Sequence, residues 1–441
     1  MTRARSDSER TAGAPETAPT ITQLLAQHDR ALGDHAALVK RGLKLDLTRG
    51  KPSPAQLDLS GRMLDLPLSA LACADQTDLR NYGSPSGLLE LREIFSNAFQ
   101  VPTTQLLAAG NSSLELMHDA IVFALLRGVP GGEGHWLGYG KIAFLCPVPG
   151  YDRHFAICER YGIEMIPVAM TPEGPDMNTV ESLVAEDPRI KGIWCVPKYS
   201  NPDGAVYSAD TVRRLSAMPT AAADFRIFWD NAYAVHHLTD TPAEIADILA
   251  LCAAHGNPER ALIFGSTSKI TIAGAGVAFF GSSATNVAWW LDCAGKRSIG
   301  PDKINQLRHS QFLRNADGLA EHMRDHAALI RPKFDLVDNI LTAELGAAGF
   351  ASWTNPAGGY YISLQVPHGC ARDVVAKVQE AGIVLTPAGA AHPYGIDPQD
   401  STIRIAPTYP DVEEVELAVR ALATCVRLVG TQKLFAEASA R

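Results

Sequence analysis

The chain has 441 residues, of which 46% are hydrophobic and 20% charged, and a formal net charge of −9. That length asks for more than one packed core, and a pI near 5.8 excludes a broad nucleic-acid-binding face, which needs a surplus of Lys and Arg. Its apolar runs fall short of the ~20 residues that span a membrane, and its eight cysteines form no C-x-x-C pair and no metal-ligand spacing, so the reading is a cytoplasmic protein without membrane, nucleic-acid or metal partners.

Residues 1–20 are rich in Arg, Ser, Ala, Pro and Thr and lack an apolar centre, which predicts a flexible tail and not a secretory signal. A helix is expected over about 20–40. Between about 105 and 285, short apolar runs alternate with helix-like segments. The runs are 141–146, closed by the turn Pro147-Val-Pro-Gly150, then 192–197, 226–230, 261–265 and 276–280. Fully apolar strands separated by helices imply a mostly parallel sheet covered on both faces, hence an α/β fold. From 304 to 345 the pattern is one long helix with Pro332 as its main breaker. Strands at 358–363 and 401–405 and a helix over 412–429 follow, an α+β arrangement. The expected division is a tail at 1–20, an N-terminal segment at 21–75 packing with the small domain, a large domain at 76–325 and a small C-terminal domain at 326–441.

Polar residues placed directly after these strands carry the chemistry. Gly265-Ser-Thr-Ser-Lys269 ends one strand with Ser266, Ser268 and a lysine. A lysine held at a strand end inside a cleft can be lowered in pKa and act as an imine-forming amine, and the two hydroxyls can hold a phosphate. Asn201-Pro-Asp-Gly204 follows another strand, placing an amide where open α/β sheets bind ligands. Asp230-Asn-Ala-Tyr233 follows a third, and a carboxylate there demands a positive partner or a helix to cap. Each alone is an ordinary turn or cap; the three in succession point to one site.

This series resembles the class I aminotransferases of fold type I, enzymes dependent on pyridoxal 5′-phosphate (PLP). They carry N-P-x-G, D-x-x-Y and S-x-S-K in the same order. The resemblance implies a seven-stranded, mostly parallel sheet sandwiched by helices, with a smaller α+β domain. It makes Lys269 the catalytic lysine bonded to PLP, with Asp230 on the ring nitrogen and Asn201 and Tyr233 on the phenolic oxygen. Tyr151, after Pro149-Gly150, matches the aromatic stacked on the ring. Asn111, Ser112 and Ser113 match a phosphate turn at a helix start, joined by Ser266 and Ser268. Tyr82, in Asn81-Tyr-Gly-Ser-Pro-Ser-Gly87, matches a tyrosine that reaches the phosphate of a neighbouring subunit, implying a homodimer with shared sites.

On the substrate side, Arg404 matches the arginine that grips the α-carboxylate, and Gly50 the glycine of a segment closing over substrate, with Asn201 nearby. The sequence departs from the family in one place. Many members have an arginine eight residues after the lysine; here that position is Val277. This, with Gly50-Lys-Pro-Ser-Pro54, Lys198-Tyr-Ser-Asn201 and Asp302-Lys-Ile-Asn-Gln-Leu-Arg-His309, resembles the divergent bacterial aspartate aminotransferases of subgroup Ic. The implied reaction moves an amino group from L-aspartate to 2-oxoglutarate, with Lys296, Arg297 or Lys303 as candidate cations for the second carboxylate. Transamination of alanine or aromatic donors, a β-elimination, and a non-catalytic regulator remain the alternatives.

Overall fold

The computed structural model describes residues 9–11, 21–48, 50–66, 73, 77–346, 349 and 351–439. The tail expected over 1–20 therefore lies outside the described residues, save Glu9–Thr11, which pair antiparallel with Ser352–Thr354.

The main sheet runs in the order Leu106–Ala108, Ala278–Gly281, Ala261–Ser266, Arg226–Asp230, Ile190–Cys195, Ala143–Val148 and Glu164–Thr171, with the two-residue strand Gly174–Pro175 added at the edge. The middle strands are parallel. Ala278–Gly281 is antiparallel to both its neighbours. The alternation of side chains along a strand fills two cores at once. Leu145, Ile193, Ile227, Trp229, Ile263 and Phe279 face one layer of helices. Phe144, Trp194, Phe228, Leu262, Phe264 and Phe280 face the other. Each such side chain, fully buried, contributes about 1.5–3 kcal/mol, so neither face is free to turn outward. Because the strands are parallel, their carboxyl ends share one edge of the sheet.

A third core lies around the antiparallel strands Ser352–Thr354, Ile362–Gln365 and Thr402–Ile405. Helix Val412–Ser439 packs on it together with Ala371–Glu380, the end of Ala316–Leu345 and the N-terminal helix Ile21–Arg41.

The single helix expected over 304–345 is two helices, Lys303–Leu313 and Ala316–Leu345. The break is not at Pro332, which lies inside the second helix. It falls at Arg314, in the left-handed region with φ 68°, and Asn315 then caps the new helix by accepting from the Gly318 N–H at 2.9 Å. An Asn cap restarts a helix without any proline.

Candidate active site

Four chain segments leave the carboxyl edge of the sheet and meet there. Asp230 is the last residue of its strand and Ser266 of the next, and Asp230 pairs in register with Phe264. The cis Asn201–Pro202 bond turns the chain back after Ile190–Cys195, and Tyr151 precedes the helix Asp152–Arg160.

Asp230 is 2% exposed. Its Oδ2 accepts from His154 Nε2 at 3.1 Å, and His154 stacks on Trp194 with centroids 4.4 Å apart. Asp230 Oδ1 is buried and has no partner among the described residues. An orphaned buried carboxylate oxygen is costly, so its position calls for a donor from a bound molecule. The sequence reading missed His154. It lies three residues after Tyr151, so one turn of helix puts both rings on the same side, and the two rings meet edge to face at 4.9 Å.

Lys269 is held from behind. His236 Nε2 donates to its carbonyl oxygen at 3.2 Å and the Tyr360 hydroxyl does so at 3.4 Å. Gln56, from the helix Pro54–Asp58, in turn donates to that hydroxyl at 2.8 Å. Burial moves the His236 ring down to about 3, so it stays neutral. The Lys269 amine lies 5.2 Å from the Tyr233 ring centre. Burial lowers its pKa below the ordinary 10.5, with the Asp230 carboxylate pulling the other way. The direction matters, because a lowered lysine offers more free amine near neutrality. Burial pushes the Tyr151 and Tyr233 phenols up, which keeps both as neutral donors.

Arg404, from Thr402–Ile405, is 8% exposed. Its fork reaches Asp152 Oδ1 at 3.2 Å, Asn201 Oδ1 at 3.4 Å and Thr386 Oγ1 at 3.2 Å. Its guanidinium lies 5.0 Å from the Tyr361 ring centre, and its Nε is buried without a partner among the described residues. Gly50 packs so closely on Tyr361 that a Cβ there would come within 2.5 Å of the ring. Tyr233, Arg404 and Gly50 gather around Tyr361, a residue that sequence reasoning did not select, and Asn201 joins them through Arg404.

The hydroxyl side is separate but adjacent. Ser266 Oγ donates to Ser268 Oγ at 3.1 Å. Ser112 caps the helix Ser113–Arg127, and the Asn111 N–H is taken by Glu115 Oε2 at 2.8 Å. Gly276 brings the two parts together: a Cβ there would lie 2.7 Å from the Asn111 carbonyl oxygen and 3.3 Å from Ser268 Oγ. Tyr82 stands apart, 78% exposed.

Of the three candidate cations, Lys303 is buried and donates to the Asn81 and Gly83 carbonyls at 2.7 and 3.2 Å. Arg297 pairs with Glu115 and Asp119 at 3.4 and 3.0 Å, and Lys296 with Asp292 at 3.4 Å. Within one protomer each already has a partner. Val277 is 2% exposed and belongs to the apolar core. Among the described residues no helix is long and apolar enough to cross a membrane, and no His, Cys, Asp and Glu cluster could hold a metal ion.

Comparison with known proteins adds an independent line. The family profile described as aspartate amino-transferase matches residues 20–438. An aminotransferase-type protein of Mycolicibacterium smegmatis is 55% identical over 417 residues, 94% of this chain and 97% of that protein. The aspartate aminotransferase of Corynebacterium glutamicum is 49% identical over 396 residues, covering 90% and 91% of the two chains. The crystal structure of an aspartate transaminase from the same species superposes with a TM-score of 0.92 at 46% identity, covering 95% of this chain and all of the other.

Proposed function

Because this chain belongs to the aspartate aminotransferase family, we propose that it uses PLP, bonded to Lys269, to move the amino group of L-aspartate to 2-oxoglutarate. The observation that carries the reading is a burial-lowered amine at Lys269 in the field of the Asp230 carboxylate, whose buried Oδ1 has no partner among the described residues. A protonated pyridine nitrogen would supply the donor that Oδ1 lacks.

When bound, PLP supplies an aldehyde for an amine to add to and an electron-withdrawing ring that acidifies the substrate Cα–H. The protein does the rest. Lys269 anchors the cofactor, and its Nζ, once released, takes the Cα proton as a general base. His154 fixes Asp230, whose free Oδ1 would meet the ring nitrogen. Asn201 and Tyr233 would donate to the phenolic oxygen, and Tyr151 would cover the ring face. Ser266, Ser268 and the turn of Asn111, Ser112 and Ser113 would hold the phosphate. Arg404 exchanges Asp152 and Asn201 for the substrate carboxylate, which its Nε and Nη groups match in parallel. Gly50 lets its segment close against Tyr361 over the substrate. The exposed Tyr82 contributes to the site of a second subunit, which makes the working enzyme a homodimer of the cytoplasm.

The test is spectroscopic. Protein saturated with PLP is expected to show a visible absorption band that L-aspartate removes and 2-oxoglutarate restores. Borohydride reduction is expected to fix the cofactor on the peptide containing Lys269. Absence of the band, or a label on another lysine, overturns the cofactor assignment. Faster turnover with alanine or aromatic donors overturns the substrate assignment alone.

A further inference from the structure

The helix Lys303–Leu313 carries the run Asp302-Lys-Ile-Asn-Gln-Leu-Arg-His309, which the chemistry above leaves without a role. One side of it reaches segments that flank the hydroxyl-lined end of the site. Lys303 holds the Asn81 and Gly83 carbonyls on either side of Tyr82. Gln306, 1% exposed, donates to the Ala108 carbonyl at 2.8 Å and accepts from the Leu88 N–H at 2.7 Å. Asn305 Nδ2 donates to the Ala275 and Gly276 carbonyls at 3.0 and 3.2 Å. His309, fully buried, lies between Thr267 and Thr271.

The proton positions on His309 follow from its partners. Nδ1 lies 2.8 Å from the Asn305 carbonyl oxygen, which can only accept, so Nδ1 carries the hydrogen. Burial holds the ring below the ordinary histidine value, so it is neutral and Nε2 is an acceptor. The Thr271 hydroxyl, at 2.8 Å, donates to the single lone pair of Nε2, and the Thr267 hydroxyl, at 3.1 Å, shares it. Thr267 Oγ1 in turn accepts from the Val277 N–H at 2.9 Å, and the Thr267 N–H donates to the Val277 carbonyl at 2.9 Å. Both ends of the 267–277 loop are thereby tied to one imidazole, and its Gly276 corner to one amide.

Between Ser266 and Val277 the only cation is Lys269, whose amine is directed to other chemistry. On this loop a dianion meets neutral donors, each weaker than a guanidinium, and the guanidinium beside the Asn111 turn, Arg297, is already paired with Glu115 and Asp119. Neutral donors bind an anion well only when their geometry is set in advance, since ordering them on binding costs affinity. The contact of Gly276 with the Asn111 carbonyl and Ser268 fixes that geometry, and Asn305 holds the Gly276 carbonyl.

Resting on the PLP reading above, the geometry points to Asn305 and His309 as positioning residues for the cofactor phosphate. They hold the 267–277 loop so that Ser266, Ser268 and the Asn111 turn form a rigid anion cradle. Neither residue touches the phosphate, and neither is a catalytic residue.

The test separates phosphate recognition from general damage. Full-length protein, freed of cofactor, is titrated with PLP and with pyridoxal, which lacks the phosphate, following the visible band and the melting temperature. For Asn305→Ala and His309→Ala the Kd for PLP is expected to rise tenfold or more, while that for pyridoxal changes less than twofold. His309→Gln, which keeps one donor and one acceptor, is expected to recover most of the loss. Thr271→Val removes a single hydroxyl from Nε2 and serves where a larger change unfolds the chain; its PLP Kd is expected to rise about threefold. Equal weakening of both ligands, or no change in either, overturns the positioning role. A wild-type chain that forms no band with either ligand overturns the cofactor reading instead.

Discussion

At one end of the site, Asp230, His154 and Lys269 bring ionisable groups into a space almost without water. At the other, Ser266, Ser268 and the Asn111 turn are neutral, and their order comes from a helix behind them. The two ends handle opposite tasks. Charge is worth most where water is excluded, so the ring end gains from a single carboxylate with one oxygen held and one left over. A phosphate carries its own charge and needs many donors at fixed distances, which a braced loop supplies without a second buried ion and its desolvation cost. The comparison teaches that one site can use local charge at one end and preorganisation at the other. Substitutions at the first should therefore act on rate, and at the second on cofactor affinity.

The largest effect is expected from Lys269→Ala. With Lys269 proposed as both anchor and base, its loss is expected to lower kcat by about 10⁴–10⁶-fold, with circular dichroism and melting temperature close to wild type. Residual turnover above that range breaks the assignment of the charged end. Asp230→Asn comes next, with a loss on the order of 10²–10³-fold in kcat, because an amide of the same shape cannot balance a ring charge. The same variant also sharpens the electrostatic reading. The Asp230 carboxylate raises the Lys269 pKa against the lowering by burial. Its removal is expected to shift the pH midpoint for attack of the free amine on an aldehyde further below 10.5, measured by the rate of band formation against pH. A shift upward contradicts the sign.

Arg404→Lys tests the substrate side. Exchange of a planar fork for a point charge is expected to raise KM for L-aspartate about 30-fold, which is roughly 2 kcal/mol of a charge-assisted hydrogen bond, with a smaller change in kcat. The smallest effect at the charged end is expected from His154→Phe, which keeps the stacking on Trp194 and removes one hydrogen bond to Asp230. Steady-state kinetics are expected to show about a tenfold loss in kcat, corresponding to ~1.4 kcal/mol, with the PLP Kd nearly constant. A reversed pattern, with affinity lost and rate kept, erases the contrast between the two ends.

Much of this site was legible in the chain because its residues follow apolar strands. Asp230, Asn201, Tyr151, Ser266 and Lys269 each sit within a few residues of a buried run, and parallel strands bring such positions to one edge. Arg404 was legible only by resemblance, since nothing in Ile403-Arg-Ile405 separates a substrate clamp from a surface strand arginine. His154, Tyr361 and His236 were not selected. His154 and His236 each lie three residues after a selected tyrosine, Tyr151 and Tyr233, and Tyr361 lies inside the run 358–363, read only as a strand, so none carried a signal of its own. Lys303 was read as a candidate for substrate, yet it is buried against two carbonyls in the turn that carries Tyr82.

The sequence by itself determined the burial of the central strands on both faces, the caps and turns that end them, and the order in which polar residues reach the sheet edge. Those are local matters of side-chain size, backbone freedom and burial. Tertiary structure alone decided which groups touch. His154 meets Asp230 across 76 residues, Asn201 meets Arg404 across 203, and His309 meets Thr267 across 42. No short-range pattern encodes such a partner, because a buried donor finds its acceptor only after the layers have packed, and the packing sets the distance.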